Sequence, residues 1–189
     1  MSSRAQRRIA QQAERRWRKR RKWLLRGVGI LAVLVIGGLV YRGLTKEDPG
    51  KAVATLGNLH LESVTTPHIP YNTRPPTSGP HLDALARWGV HAQPIPDELQ
   101  VHNLEDGGVV VQYNCRECQE LIAKLEAIVR RYPDKVILAP YPTMEARIAL
   151  TAWGRIDTFP EVDEQRIVRF IEAYRGIDHH PRQQGGGTR

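Results

Sequence analysis

Hydrophobic and polar positions change rhythm sharply along the chain. From Gly27 to Tyr41 the sequence GVGILAVLVIGGLVY carries no charge and is closed by Arg26 and Arg42. This run is shorter than the ~20 residues of an ordinary spanning helix. Leu24, Leu25 and Leu44 extend it, and the flanking arginines can snorkel to the headgroups. Trp23 and Tyr41 stand where interfacial aromatics belong. Residues 23–44 are therefore expected to form one transmembrane helix. A cleaved signal peptide competes with this reading, but the charged leader is long, and Gly38-Leu39-Val40-Tyr41-Arg42 offers no small-x-small cleavage site. The pattern predicts an uncleaved signal anchor.

After a polar linker, residues 45–58, the rhythm becomes that of a globular domain spanning 59–176. His60 to Val64 reads as a short strand. Thr65 to Pro80 contains five prolines and predicts an extended, rigid loop. Pro80 is suited to open a short helix over HLDALARW, with Ser78 as cap and Gly89 as stop. Gly108 to Tyr113 is an apolar run of strand length. From Gln119 to Tyr132, Leu121, Ile122, Leu125, Ile128, Val129 and Tyr132 fall on one helical face. Val136–Tyr141 and Ile148–Trp153 read as two further buried strands. Ile167, Phe170, Ile171 and Tyr174 recur at helical spacing, with Asp163 as cap and Gly176 as stop. Strand, helix, strand, strand, helix predicts a small α/β or α+β domain with a short central sheet and two or three helices. Residues 177–189 read as a flexible tail ending in QQGGGTR.

Charge changes what the chain is expected to meet. The formal net charge is +8, yet residues 1–26 hold eleven Lys/Arg against one acid, Glu14, and the remainder holds 17 basic and 19 acidic residues. The basicity belongs to the tail, residues 1–22, and not to the domain. It reads as a topology signal that keeps the N-terminus cytoplasmic and puts residues after Thr45 outside, with a surface helix on anionic lipid as the alternative. A nucleic-acid partner is excluded on this pattern, because the domain itself is faintly acidic. The partners expected are membrane lipid, through the anchor, and another envelope protein.

All seven histidines and both cysteines follow the anchor. A metal site is one reading. His81 follows Pro80 at an expected helix start, where the helix dipole disfavours the imidazolium and keeps the ring neutral for ligation. His102 and Glu105 are three apart and would share one side of a helical turn, with Asp106 adjacent. Imidazole with carboxylate suits zinc, iron or copper(II), whereas Cys115, Cys118 and Met144 would suit copper(I). The leading expectation is a copper or zinc ion held by His81, His102 and Glu105. His68, Asp106 and the cysteines are secondary candidates, and His60 and His91 are given no role. Taken singly, such histidines more often tie loops together by hydrogen bonds.

Cys115 and Cys118 admit a second reading. Strand, CxxC, helix, strand locally resembles the thioredoxin arrangement, with Cys115 near a helix N-terminus and Arg116 beside it. Tyr141-Pro142-Thr143 would stand in for a proline loop facing the pair, although no Trp precedes the first Cys. A structural disulfide, stable in an oxidising compartment, is the simpler account. A third reading is a non-catalytic scaffold presenting the YNTRPP loop or His179-His180-Pro181. No Gly-x-Ser-x-Gly and no phosphate-binding glycine loop is present, so no enzyme class is assigned.

Three stretches, YNTRPPTSGPH (Tyr71 to His81), VHNLEDGGVVVQY (Val101 to Tyr113) and APYP…ALTAWGR (Ala139 to Arg155), resemble the bacterial family known as domain of unknown function 3105. The likeness runs from about His60 to Tyr174. It implies a membrane-anchored extracytoplasmic domain and supplies no reaction. Many relatives read Leu-Glu-His-Gly-Gly where this chain has Leu104-Glu105-Asp106-Gly107-Gly108, so a candidate histidine ligand of the family is a carboxylate here.

Overall fold

The computed structural model describes residues 17, 23–25, 27–29, 31–38 and 47–180. The chain divides into two units, residues 1–47 and 48–189. In the first, residues 23–25, 27–29 and 31–38 are helical, and Leu24, Val28, Leu31, Leu34 and Ile36 are all exposed. Among the described residues no helix is long and apolar enough to cross a membrane. Residues 26, 30 and 39–44 of the expected anchor lie outside the described residues, as do the basic tail apart from Trp17 and the terminal residues 181–189.

The second unit is a mixed α/β domain. In chain order its elements are β1 (Lys51–Ala52), β2 (His60–Leu61), β3 (His81–Leu82), β4 (Gly89–Val90), α1 (Asp97–Glu105), β5 (Val109–Tyr113), α2 (Gln119–Val129), β6 (Val136–Pro140), β7 (Ile148–Ala152), β8 (Arg155–Phe159) and α3 (Glu164–Tyr174). A six-stranded sheet has the order β1-β8-β7-β5-β6-β4, and β2 and β3 form a separate pair. β5 and β6 run parallel around the α2 crossover, whereas β7 and β8 join antiparallel on the other side of β5. The segment expected as a linker, 45–58, supplies β1, which pairs with β8.

The apolar runs of β5 and β6 are continuous because both faces of the sheet are covered. On one face Val109, Val111, Val136 and Leu138 pack against Leu121, Leu125 and Ile128 of α2 and Ile167, Phe170 and Ile171 of α3. On the other, Val110, Ile137 and Ala139 meet Ala86, Ile95 and Leu104. Each such side chain withdrawn from water contributes about 1.5–3 kcal/mol. α3 begins as its sequence predicts, with the Asp163 carboxylate accepting from the Arg166 amide at 3.0 Å.

The expected helix over residues 80–88 does not form. His81–Leu82 instead pairs in parallel with His60–Leu61. Distant partners hold this backbone extended: the His81 amide donates to the Leu59 carbonyl at 2.9 Å, and the Tyr71 hydroxyl donates to the Pro80 carbonyl at 2.5 Å. Ser78 caps nothing; its hydroxyl accepts from the Leu56 amide. The structure also adds α1 and β8. The inward residues of α1 include Gln100, His102, Asn103 and Glu105, so no apolar stripe announces it, and β8, RIDTF, interleaves charge with apolar residues.

Candidate metal centre

The packing of α1 against β3 decides where the histidines meet. α1 presents His102 and Glu105 one turn apart, and the β2–β3 pair sets His60 directly beside His81. His60, His81, His102 and Glu105 each offer one ligand-type atom, and these atoms lie within 4.8 Å of one another. His102, Asp106 and His180 form a second such group on the flank.

Glu105 is fully buried and stands at the centre. Its Oε1 accepts from the Asn58 side-chain amide at 2.9 Å. Its Oε2 lies 2.9 Å from His81 Nε2, 3.4 Å from His180 Nε2, 3.8 Å from His60 Nε2 and 3.9 Å from His102 Nδ1. The ring of His81 is also fully buried, and its Nδ1 lies 2.7 Å from the Gly79 carbonyl. A carbonyl only accepts, so Nδ1 carries the proton and donates. In a neutral ring Nε2 is then a lone pair facing a carboxylate oxygen, and the contact requires a cation between them, either a proton or a metal ion. A ring nitrogen anchored on a backbone carbonyl while the other faces the cluster is the usual support of a metal-ligating histidine.

Two neighbours face the same cluster, and one of them is anchored in the same way. His180 Nδ1 is 2.7 Å from the Asp178 carboxylate, which turns Nε2 toward Glu105 and raises the ring's pKa. The Nδ1 of His102 is buried with no hydrogen-bond partner. Burial, followed by the nearby His81, lowers the pKa of His102. His60 is the open side of the group, with its side chain 43% exposed. Trp153 closes another side, edge-on to His81 and stacked on His179.

His180 arrives on a short strap. The Gly176 amide donates to the Gly107 carbonyl and the His179 amide to the Glu105 carbonyl. The close approach depends on Gly107, at φ +77°, where a Cβ would sit 2.6 Å from the Ile177 nitrogen.

Of the residues singled out in the sequence, His81, His102 and Glu105 are brought together and Asp106 lies at the edge. Asp106 is 3.6 Å from both His180 Nδ1 and Lys135 Nζ. His68 is placed elsewhere, with Nδ1 on the Ile69 carbonyl and Nε2 3.4 Å from Glu98 in the first turn of α1. Cys115 and Cys118 are bonded to each other, with Cα atoms 6.0 Å apart, at the opposite end of β5 and on the α2 face of the sheet. A bonded pair there offers no thiolate to the histidines. Met144 packs with Tyr141 and Ala149. Sequence reasoning missed His60, His180 and Asn58, which long-range pairing delivers. The His-His-Pro tail was visible as a feature but not as part of this site.

No curated protein and no solved structure matches the chain. A family model described as "Protein of unknown function (DUF3105)" matches residues 63–187. That match spans α1, the whole of β5 to α3 and the His180 strap, and the chain belongs to this family.

Proposed function

We propose that this is a membrane-anchored protein whose folded domain binds one divalent transition-metal ion, of the zinc or copper class. Its ligands are His81, His102, Glu105 and His60, with His180 on the strap as a further donor and Asp106 beside it. One observation carries the reading. The Glu105 Oε2 lies within 4 Å of four imidazole nitrogens, and two of those rings are anchored through their opposite nitrogens on an acceptor. Three imidazoles and a carboxylate suit zinc or copper(II) and disfavour magnesium or calcium, which prefer all-oxygen shells. Zinc bonds of ~2.0–2.1 Å place donors about 3.3 Å from one another, so the widest separations, up to 4.8 Å, would close while the 2.9 Å pair of His81 and Glu105 would open slightly.

The anchor and the outward orientation rest on the uncharged run from Gly27 to Tyr41 and on the basic tail before it. Exposure of Leu31, Val33, Leu34, Val35 and Ile36 also supports the anchor, since such a helix needs an apolar surrounding.

Elemental analysis of full-length protein purified in detergent, loaded with zinc or copper(II) and desalted, tests the metal reading. About one ion per chain is expected, with most of it lost in His81→Ala and His102→Ala and all of it kept in His68→Ala. Unchanged metal content in both of the first two variants defeats the assignment.

A further inference from the structure

At the far end of β5 the chain leaves the sheet through Asn114, crosses Cys115-Arg116-Glu117-Cys118 and enters α2. Cys118 is the N-cap residue of this eleven-residue helix, and no side chain accepts from its first-turn amides. The cysteines are bonded but unequal: Cys118 is buried at 9% exposure, whereas Cys115 is half-buried and is followed by exposed Arg116 and Glu117. Cys118 also lines an open cleft of about 520 Å³, together with Lys124, Arg147 and the acidic residues Glu117, Glu120 and Glu161. Within that wall the Lys124 ammonium is held by Glu120 at 2.6 Å. The Arg147 guanidinium has no ion-pair partner among the described residues, although its backbone is fixed by the Asn114 amide. The uncapped helix start, Arg147 and the Cys118 side of the disulfide thus meet at one cleft, and half-buried Cys115 is bonded to its wall.

We propose that Cys115–Cys118 is an exchange-active disulfide that oxidises a protein dithiol, at a site separate from the histidines. A partner thiolate attacks Sγ of Cys115, the more accessible sulfur. The Cys115–Cys118 bond breaks as a partner–Cys115 bond forms, and the electron pair leaves on Cys118 Sγ. That thiolate is stabilised by the α2 N-terminus and by Arg147, and a lower thiol pKa makes a faster leaving group. The partner's second thiolate then attacks its own sulfur in the mixed disulfide and releases Cys115. Two electrons and two protons pass from the partner, which becomes a disulfide, to the pair, which becomes two thiols. A disulfide of another protein, attacked by the Cys115 thiolate, restores the pair by the reverse steps.

The test uses full-length protein in detergent and glutathione as the probe, read by thiol alkylation and mass. In wild type, the pair is expected to equilibrate with mixtures of reduced and oxidised glutathione while the fold persists by circular dichroism. Cys118→Ser, with half-buried Cys115 free, is expected to form a glutathione adduct about tenfold faster than Cys115→Ser does, because the burial of Cys118 outweighs its lower thiol pKa. Arg147→Gln is expected to slow reduction of the wild-type pair several-fold. A pair that stays oxidised in reduced glutathione and opens only on unfolding overturns the proposal, as do equal adduct rates in the two variants. The wild-type measurement decides the matter even if a variant fails to fold, and neither result bears on metal content.

Discussion

Glu105 is a carboxylate that the fold has removed from water and surrounded with nitrogen. Burying such a charge is costly unless it is paired and hydrogen-bonded, and here Asn58 holds one oxygen while imidazoles surround the other. The two oxygens therefore have separate tasks, and they can be tested separately. Glu105→Gln removes the charge and one donor, so zinc affinity is expected to fall by at least about a hundredfold, measured by competition with a chromophoric chelator. Asn58→Ala leaves the charge and frees the carboxylate to rotate. Its expected cost is about ten- to a hundredfold in affinity, with metal still bound at saturation. Equal affinity in wild type and Asn58→Ala would mean that the support of Oε1 does not orient Oε2.

The elements around the site differ in what they transmit. The strap that brings His180 rests on Gly107, where any side chain meets the backbone of Ile177. Gly107→Ala is therefore expected to weaken metal binding about as much as His180→Ala does, and combining the two should add little, because both changes remove one donor. On the opposite face, Leu125 of α2 is fully buried. Leu125→Ala is expected to cost about 2–5 kcal/mol in denaturant unfolding while leaving the ion per folded chain unchanged, since none of the proposed histidine and carboxylate ligands belongs to that face. The same division accounts for what the sequence disclosed. α2 and α3 are legible because apolar residues recur at helical spacing, and β5, β6 and β7 because each is a continuous apolar run of strand length. α1 is illegible, since its inward side mixes Val101 and Leu104 with Gln100, His102, Asn103 and Glu105, polar residues with partners on other segments, as Asn103 pairs with Ala86 and Glu105 with Asn58. Residues 80–88 mislead for a related reason: a favourable Pro80 start is outweighed by the hydrogen bonds that His81 donates to Leu59 and Pro80 accepts from Tyr71, which no local signal announces. His102 and Glu105 were legible from their spacing of three, whereas His60 and His180 become neighbours only through β2–β3 pairing and the strap.

At the scale of the whole molecule, β5 separates two chemistries. Its N-terminal end receives α1 with the carboxylate and imidazoles, and its C-terminal end delivers the cysteine pair, roughly 13 Å away along four strand steps. Both belong to a domain whose basic and acidic residues nearly balance, so the chain's net positive charge lies in the tail, and this bears on where the domain resides. Seven of the basic residues, Arg15, Arg16, Arg18, Lys19, Arg20, Arg21 and Lys22, immediately precede the apolar run. Each contributes about 1 kcal/mol of attraction to an anionic leaflet, and together they bias the N-terminus to the cytoplasmic side. Replacing all seven with Gln leaves the apolar run intact, so insertion should persist while the orientation bias weakens. Added protease should digest the folded domain of the wild-type protein on intact spheroplasts. In the substituted protein a fraction should become protected until the membrane is opened with detergent. Deleting residues 1–44 should release the domain to the soluble fraction. Wild-type protein that leaves the membrane fraction in high salt would show that charge alone holds it there, and the spanning assignment would fall. Persistence in high salt with full digestion of both proteins would instead keep the span and remove the tail as its orienting signal.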